Sequence, residues 1–341
     1  MALSKKILLT GGAGFIGSHT AVDLLEQGND VVILDNLSRS DKSIIEGIEK
    51  IAAKKFKFYQ GDCSDAAFVA SVLRAEKIES VIHFAAYKSV NESVEKPLLY
   101  YKNNIGSLVN MLEQMKVFQV HEFIFSSSCT VYGQPASIPV DETAPFRKAE
   151  SPYGATKQMC ERILEDAVIA TKNLKVISLR YFNPVGAHPS SLIGELPIGT
   201  PTNLVPYITQ TAAGIHHQLT VFGNDYNTAD GSCMRDFIHV VDLAKAHTKA
   251  VQKIDSMPTA YEALNIGTGQ GATVLELIKK FSAITGVKLN YQIGARRPGD
   301  IEKIYANSAK AEKILGWKTM RTLEDSLLDA WNWEKKLRSK V

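Results

Sequence analysis

The sequence predicts an α/β protein in which a doubly wound parallel sheet carries a smaller α/β cap. Three observations lead there. Short apolar runs alternate with helix-spaced segments through the first half of the chain, the pattern of a parallel sheet wrapped by helices. The first run, Ile7 to Thr10, enters the turn Gly11-Gly12-Ala13-Gly14-Phe15-Ile16-Gly17 and then a helical stretch, Ser18 to Gln27. The next run, Val31 to Leu34, ends on the carboxylate of Asp35, 18 residues past Gly17.

Composition bounds the possibilities. With 341 residues and 45 % hydrophobic content, the chain can fill one large domain or two joined ones. A net charge of +3 from 39 basic and 36 acidic residues leaves no electrostatic footprint for nucleic acid or a membrane surface. Cys63, Cys129, Cys160 and Cys233 lie far apart with no C-x-x-C, so neither a disulfide framework nor a zinc site is expected, and a reducing cytoplasm is the default. No metal is expected elsewhere; His216, His217 and His239 read as structural. The apolar run at the N-terminus is too short for a signal peptide, and none approaches the roughly 18 residues of a membrane helix.

The glycine turn satisfies G-x-G-x-x-G from Gly12 and also the spacing of Gly11, Gly14 and Gly17. Lying between strand and helix, it has the form of a Rossmann-type dinucleotide site, where glycines let backbone N–H groups approach a pyrophosphate at a helix N-terminus. Asp35 is placed to bind ribose hydroxyls and to repel a 2′-phosphate, which favours NAD over NADP. Arg39 is the counter-signal, read as a solvated loop residue. A helix over Ser43 to Lys54 and a strand over Phe56 to Tyr59 follow, leading to Asp62, either an adenine contact or a plain turn aspartate. After the helix Ala66 to Glu76 and the strand Ser80 to Phe84, Ala85 and Ala86 are small enough for a cofactor to pass. Lys88 just beyond reaches the phosphates or ribose, or is an ordinary loop lysine. Pro97 to Lys116 reads as one helix whose second apolar face suits core packing or a dimer interface.

The strand Glu122 to Phe125 ends in the hydroxyl-rich Ser126 to Gly133, with Ser128 25 residues before Tyr153. Ser151-Pro152-Tyr153-Gly154-Ala155-Thr156-Lys157 reads as a helix start, with Ser151 as N-cap and proline at the first position. Residues i and i+4 share a helix face, so the Tyr153 phenol and the Lys157 ammonium point into one cleft. A free tyrosine titrates near pH 10; a neighbouring ammonium is expected to depress that, making Tyr153 a general base near neutrality, with Ser128 holding a substrate hydroxyl.

In this order, the glycine turn, Asp35, Ser126 to Gly133 and Tyr153/Lys157 resemble the extended short-chain dehydrogenase/reductases that act on nucleotide sugars. Within them the chain is most similar to the UDP-galactose (UDP-glucose) 4-epimerases. The likeness covers nearly the whole length and includes Leu34-Asp35-Asn36-Leu37, Lys96-Pro97-Leu98, Leu179 to Pro189, Asn203 to Tyr207 and Phe222 to Tyr226. It implies that Ser128, Tyr153 and Lys157 are catalytic. It assigns Asp35, Asn36, Asp62, Cys63, Lys88 and Asn103 to NAD, and places Phe15, Ile16, Phe84 and Tyr181 beside them.

The second half reads as the substrate side. Ser190 to Thr202, rich in Gly, Pro and Ser, is expected to be a loop insertion building the cap. Arg235 and Arg297 lie in separate polar stretches and suit a bidentate clamp on a diphosphate, with Asp300 accepting from a ribose hydroxyl. The resemblance implies the same, adds Asn183, Asn203, Leu204 and Phe222 to the UDP site, and leaves Arg296 unassigned. Residues 1–182 plus 236–267 are expected to form the Rossmann domain, and 183–235 plus 268–341 the UDP-sugar-binding domain. The strand Ala263 to Ile266 and helices over Val274 to Thr285 and Leu323 to Leu337 complete the chain.

The implied reaction inverts C4 of UDP-glucose or UDP-galactose through a transient 4-keto sugar, hydride being stored on tightly bound NAD, in a homodimer. Dehydratases of the family carry Asp-Glu beside the catalytic hydroxyl and its decarboxylases carry Glu; this chain has Cys129-Thr130, so both reactions lose weight. The alternatives are an epimerase of UDP-N-acetylhexosamines, a net NAD-dependent oxidoreductase, or a non-catalytic NAD-binding module. Ile304, where the family's sugar pocket is widened or narrowed, fits neither pattern.

Overall fold

Burial on both faces accounts for the apolar centres of the inner strands of the main sheet, such as Ile7 to Leu9 and Val31 to Leu34. The computed structural model describes residues 4–297 and 300–339. In it β1 (Lys6–Thr10), β2 (Asp30–Asp35), β3 (Lys57–Gln60), β4 (Ser80–His83), β5 (Glu122–Ser128) and β6 (Lys175–Tyr181) share one parallel sheet with the strand Tyr261–Ile266. The spatial order is Tyr261–Ile266, β6, β5, β4, β1, β2, β3. The strand order reverses between β1 and β4, so their carboxyl ends flank the crevice in which such sheets bind ligands.

Alternation along the strands feeds two cores. Ile7 and Leu9 pack with α1 (Phe15–Glu26), α2 (Lys42–Ala52) and the later helix Val240–Lys253, whereas Leu8 packs on the opposite face. That face is covered by α3 (Ala66–Glu76) and, after α4 (Val90–Glu95) and α5 (Pro97–Tyr100), by α6 (Gly106–Val117) and α7 (Pro152–Ala170). Local chemistry sets the helix starts: Asp41 accepts from Ser43 N, Asp65 from Phe68 N, and Thr273 forms a reciprocal capping box with Glu276.

Two elements depart from the sequence expectation. The helix expected over Pro97 to Lys116 contains a π turn, Tyr101–Ile105. Within it, buried Asn104 accepts from Tyr87 N at 2.8 Å and donates to Tyr87 O at 3.0 Å and Thr156 Oγ1 at 3.2 Å, pinning the loop after β4 to α7. β5 runs on past Phe125, because Ser126, Ser127 and Ser128 remain paired with Leu179, Arg180 and Tyr181 of β6. The hydroxyls of Ser126 to Ser128 therefore sit on a strand end rather than on a loose loop.

The chain leaves the main sheet after β6 through Asn183–Val185, which pairs with Phe237–His239 on the return. The cap is built from two further small sheets, Leu219–Phe222 with Tyr291–Gly294, and Ala272–Thr273, Met234–Arg235 and Lys303–Ile304. Ile208, Leu277, Phe281 and Leu327 from three helices fill its core.

Gly11 adopts φ +70°, and a Cβ there would lie 2.7 Å from Ala85 N. Gly11→Ala is expected to destabilise the protein by about 1–3 kcal/mol. An unchanged urea midpoint would contradict the close approach.

Candidate active site

The first part of the site is made of backbone. Gly14 caps α1 in an extended conformation without a side-chain cap bond, so the N–H groups of Phe15, Ile16 and Gly17 have no intrahelical acceptor. The turn that presents them closes only on glycine, since a Cβ at Gly17 would lie 2.5 Å from Gly11 O. This cradle fits a pyrophosphate. Asp35, at the end of β2, accepts from Ala13 N at 3.0 Å and Leu37 N at 2.8 Å, tying the turn to the strand beside it. Burial pushes its carboxyl above the usual range, and the two N–H bonds oppose that.

Asn36 donates to Asp62 at 3.1 Å. Burial alone would raise the Asp62 carboxyl, but bonds from Ser64 and Asn36 outweigh it and hold the group low. Cys63 is buried, its thiol pushed up to about 12 by desolvation and its carbonyl held by Asn110 Nδ2 at 2.7 Å. Phe84, Ala85 and Ala86 follow β4, with Phe84 packed 4.8 Å from the His247 ring centre. Asn103 lies in the π turn and donates to Asn104. Lys88 is paired with Glu195 at 2.7 Å. Arg39, expected to be free in solvent, is held by Glu92 at 2.8 Å and stacks on Tyr87.

Ser151 caps α7 through Gly154 N at 3.1 Å, with Pro152 at the first position as the spacing predicts. Lys157 is 3 % exposed; its Nζ donates to Ser126 O at 2.5 Å and lies 5.9 Å from the Tyr153 ring centre. Ser128, in register with Tyr181, caps the following 3-10 turn by accepting from Thr130 N. Tyr181 OH is bonded to His247 Nε2. The expected depression of the Tyr153 pKa is not found in the chain by itself. Burial pushes the phenol up to about 12, partly opposed by Ser128, and burial drops the Lys157 ammonium to about 8. Proximity of the pair was legible in sequence; the desolvation that reverses the shift was not.

On the substrate side, Arg235 and Arg297 converge on one carboxylate: Asp300 accepts from Arg235 Nη2 at 3.4 Å and from Arg297 Nε at 3.2 Å. Arg297 also covers the Phe222 ring at 4.6 Å. Asn183 Oδ1 is buried without a hydrogen-bond partner among the described residues, Asn203 donates to Glu195 at 2.8 Å, and Leu204 begins the next helix. Arg296 turns away to Asp225, and Pro298 and Gly299 lie outside the described residues. Ile304 is buried with Val131, Tyr132 and Phe182 rather than facing open space. His239 bonds Asp329 at 3.2 Å. Glu195, which joins Lys88 to Asn203, went unnoticed in sequence because a lone glutamate in a Gly/Pro/Ser-rich loop carries no signal.

The GDP-mannose 4,6 dehydratase family matches residues 8–329. The chain is 49 % identical over 329 residues to the UDP-glucose 4-epimerase of Yersinia enterocolitica, spanning 96 % of this chain and 97 % of that one. Its structure resembles that of UDP-glucose-4-epimerase from Stenotrophomonas maltophila with bound NAD and formylated UDP-arabinopyranose, with a TM-score of 0.96, 45 % identity and coverage of 99 % and 100 %. It also resembles the Bifidobacterium longum UDP-glucose 4-epimerase in complex with NAD+ and UDP, with a TM-score of 0.95, 44 % identity and coverage of 98 % and 100 %.

The folded Lys157 pKa, about 8, lies below the 10.5 of a free lysine, so its desolvation cost is fully present below about pH 8 and vanishes as pH rises past the unfolded value. Lys157→Met is therefore expected to stabilise the cofactor-free chain at pH 7 by about 1–3 kcal/mol, the gain shrinking above pH 10. Denaturation at the two pH values checks this; a less stable variant at pH 7 would refute it.

Proposed function

The chain belongs to the UDP-glucose 4-epimerase family of extended short-chain dehydrogenase/reductases, and we propose how its own side chains carry that reaction. It is an isomerase that inverts C4 of a UDP-hexose, with NAD as its cofactor. Bound NAD supplies an acceptor for the C4 hydride, which is returned later in the cycle, and in oxidised form a positive charge in the cleft.

Gly11, Gly14, Phe15, Ile16 and Gly17 cradle the pyrophosphate, Asp35 and Asn36 take the ribose, and Asp62 and Cys63 flank the adenine. Phe84, Ala85, Ala86, Lys88, Asn103 and Tyr181 line the remainder. Tyr153 removes the proton from the sugar 4-hydroxyl and later restores it, while Ser128 holds the same oxygen. Lys157, fixed by the Ser126 carbonyl, stabilises the phenolate. Bringing a phenol from about 12 to neutrality requires about 7 kcal/mol of preference for the anion, more than one buried ammonium supplies against desolvation. The remaining preference would have to come from charges brought by the bound cofactor and substrate. The observation that carries this reading is the meeting of Tyr153, Lys157 and Ser128 at the carboxyl ends of the strands, the side of the sheet that also bears the glycine turn.

Arg235 and Arg297, held together by Asp300, clamp the UDP diphosphate. Asn183, Asn203, Leu204 and Phe222 complete that pocket. The 4-keto sugar turns over while the nucleotide stays clamped. UDP-glucose and UDP-galactose are the substrates, with some acceptance of N-acetylhexosamines. The domains divide at 1–182 plus 236–267 and 183–235 plus 268–341. Exposed Leu98, Val109, Met159 and Ile169 on α5, α6 and α7 support a homodimer. No helix among the described residues is long and apolar enough to cross a membrane, in keeping with a cytoplasmic enzyme.

Incubating the purified protein with UDP-galactose and no added cofactor should yield UDP-glucose without net NADH. Net reduction of NAD, or no conversion, would overturn the reading. Tyr153→Phe should lower kcat by roughly 10²- to 10⁴-fold while NAD stays bound, measured by turnover and by cofactor release on denaturation. Near-parental turnover would remove Tyr153 as the base.

A further inference from the structure

We propose that Glu161 and Arg180 form a buried positioning pair that sets Tyr153 and Lys157 in register with Ser126 and Ser128. The inference rests on the epimerase reading above. Glu161 lies one helical turn beyond Lys157 and two beyond Tyr153, on the same face of α7. It is 0 % exposed. Its carboxylate accepts a forked pair from Arg180, Nη2 at 2.6 Å and Nε at 3.0 and 3.2 Å, together with the Tyr261 hydroxyl at 2.9 Å and the hydroxyl of Ser127.

Ser127 stands between Ser126, whose carbonyl takes Lys157 Nζ, and Ser128. Successive turns of α7 are therefore fastened to successive residues of β5. Arg180, in register with Ser127, donates through Nη1 to the Tyr132 hydroxyl at 2.9 Å, at the far end of the 3-10 turn that Ser128 caps. Tyr132 donates onward to Asn265 Oδ1 at 2.6 Å on the strand Tyr261–Ile266. One ion pair thus links α7, β5, β6, the outermost strand and the turn after Ser128. Buried pairs of this kind contribute little net stability over an apolar replacement, whereas small misplacements of reacting groups cost orders of magnitude in rate. A geometric role accounts for the pair better than a stabilising one.

The pair is tested in Glu161→Gln, Arg180→Met and the charge-balanced double variant, by kcat and KM for UDP-galactose against pH. The titratable groups facing Lys157 are Tyr153, Cys160 and Glu161 on its own helix and His83 on β4. Both single variants should lose roughly ten- to hundred-fold in kcat, with KM held within about two-fold. The alkaline limb, where Lys157 loses its proton, should move to lower pH in Glu161→Gln and to higher pH in Arg180→Met, where the anion is left unpaired. Limbs that stay put or move the same way, or kcat retained by Glu161→Gln, would overturn the proposal. Should the single variants fail to fold, the double variant decides: lost kcat with an unmoved limb supports positioning, and parental kcat refutes it. No conversion by the parent sinks the epimerase function instead, and parental conversion with an unaltered Glu161→Gln profile sinks only the pair.

Discussion

A lysine ammonium kept in the interior by a single backbone carbonyl is the constraint on which this molecule depends. Lys157 gives up bulk hydration for Ser126 O and the face of Phe125, 4.7 Å from its ring centre. Such a group is tolerated only where the surrounding elements cannot relax away from it. The strand that supplies the carbonyl is buried in the middle of a seven-stranded sheet, and the helix that supplies the lysine is capped by Ser151 and packed on that sheet. The fold provides the rigidity, and the site uses it to hold a charge where water would otherwise disperse it.

The two halves of the site solve recognition differently. The proposed cofactor side would rest on main-chain groups and glycine geometry around Gly11 to Gly17, which cannot reorient without unmaking the turn. The proposed sugar-nucleotide side would instead rest on ion pairs, Arg235 and Arg297 with Asp300, whose partners can be exchanged for ligand oxygens. A firmly held cofactor and a releasable substrate are what a reaction that regenerates its NAD each cycle requires.

Much of this was legible in the sequence because it rests on local chemistry. The strand–glycine–helix order, Asp35 at a strand end, and the Ser151 cap placing Tyr153 four residues before Lys157 are all short-range patterns. What escaped was set by tertiary packing. The π turn around Asn104 exists to meet Tyr87 and Thr156, distant in sequence. The small cap sheets pair two to four residues each, too few for any periodicity to register. The upward shift of Tyr153 follows from desolvation, which depends on everything packed over the phenol, most of it distant in sequence.

The outermost strand, Tyr261–Ile266, covers the edge of β6 and sends Tyr261 and Asn265 into the polar network beneath α7. A chain emerging from the ribosome has already made Tyr153, Lys157 and Ser128 about a hundred residues earlier. Until the edge strand arrives, β6 is an open template and the Glu161 carboxylate lacks one of its partners. Closure of the sheet beside β6 therefore waits until residues 183–260 have been translated, and a chain ending before Tyr261 carries Ser128, Tyr153 and Lys157 without that edge.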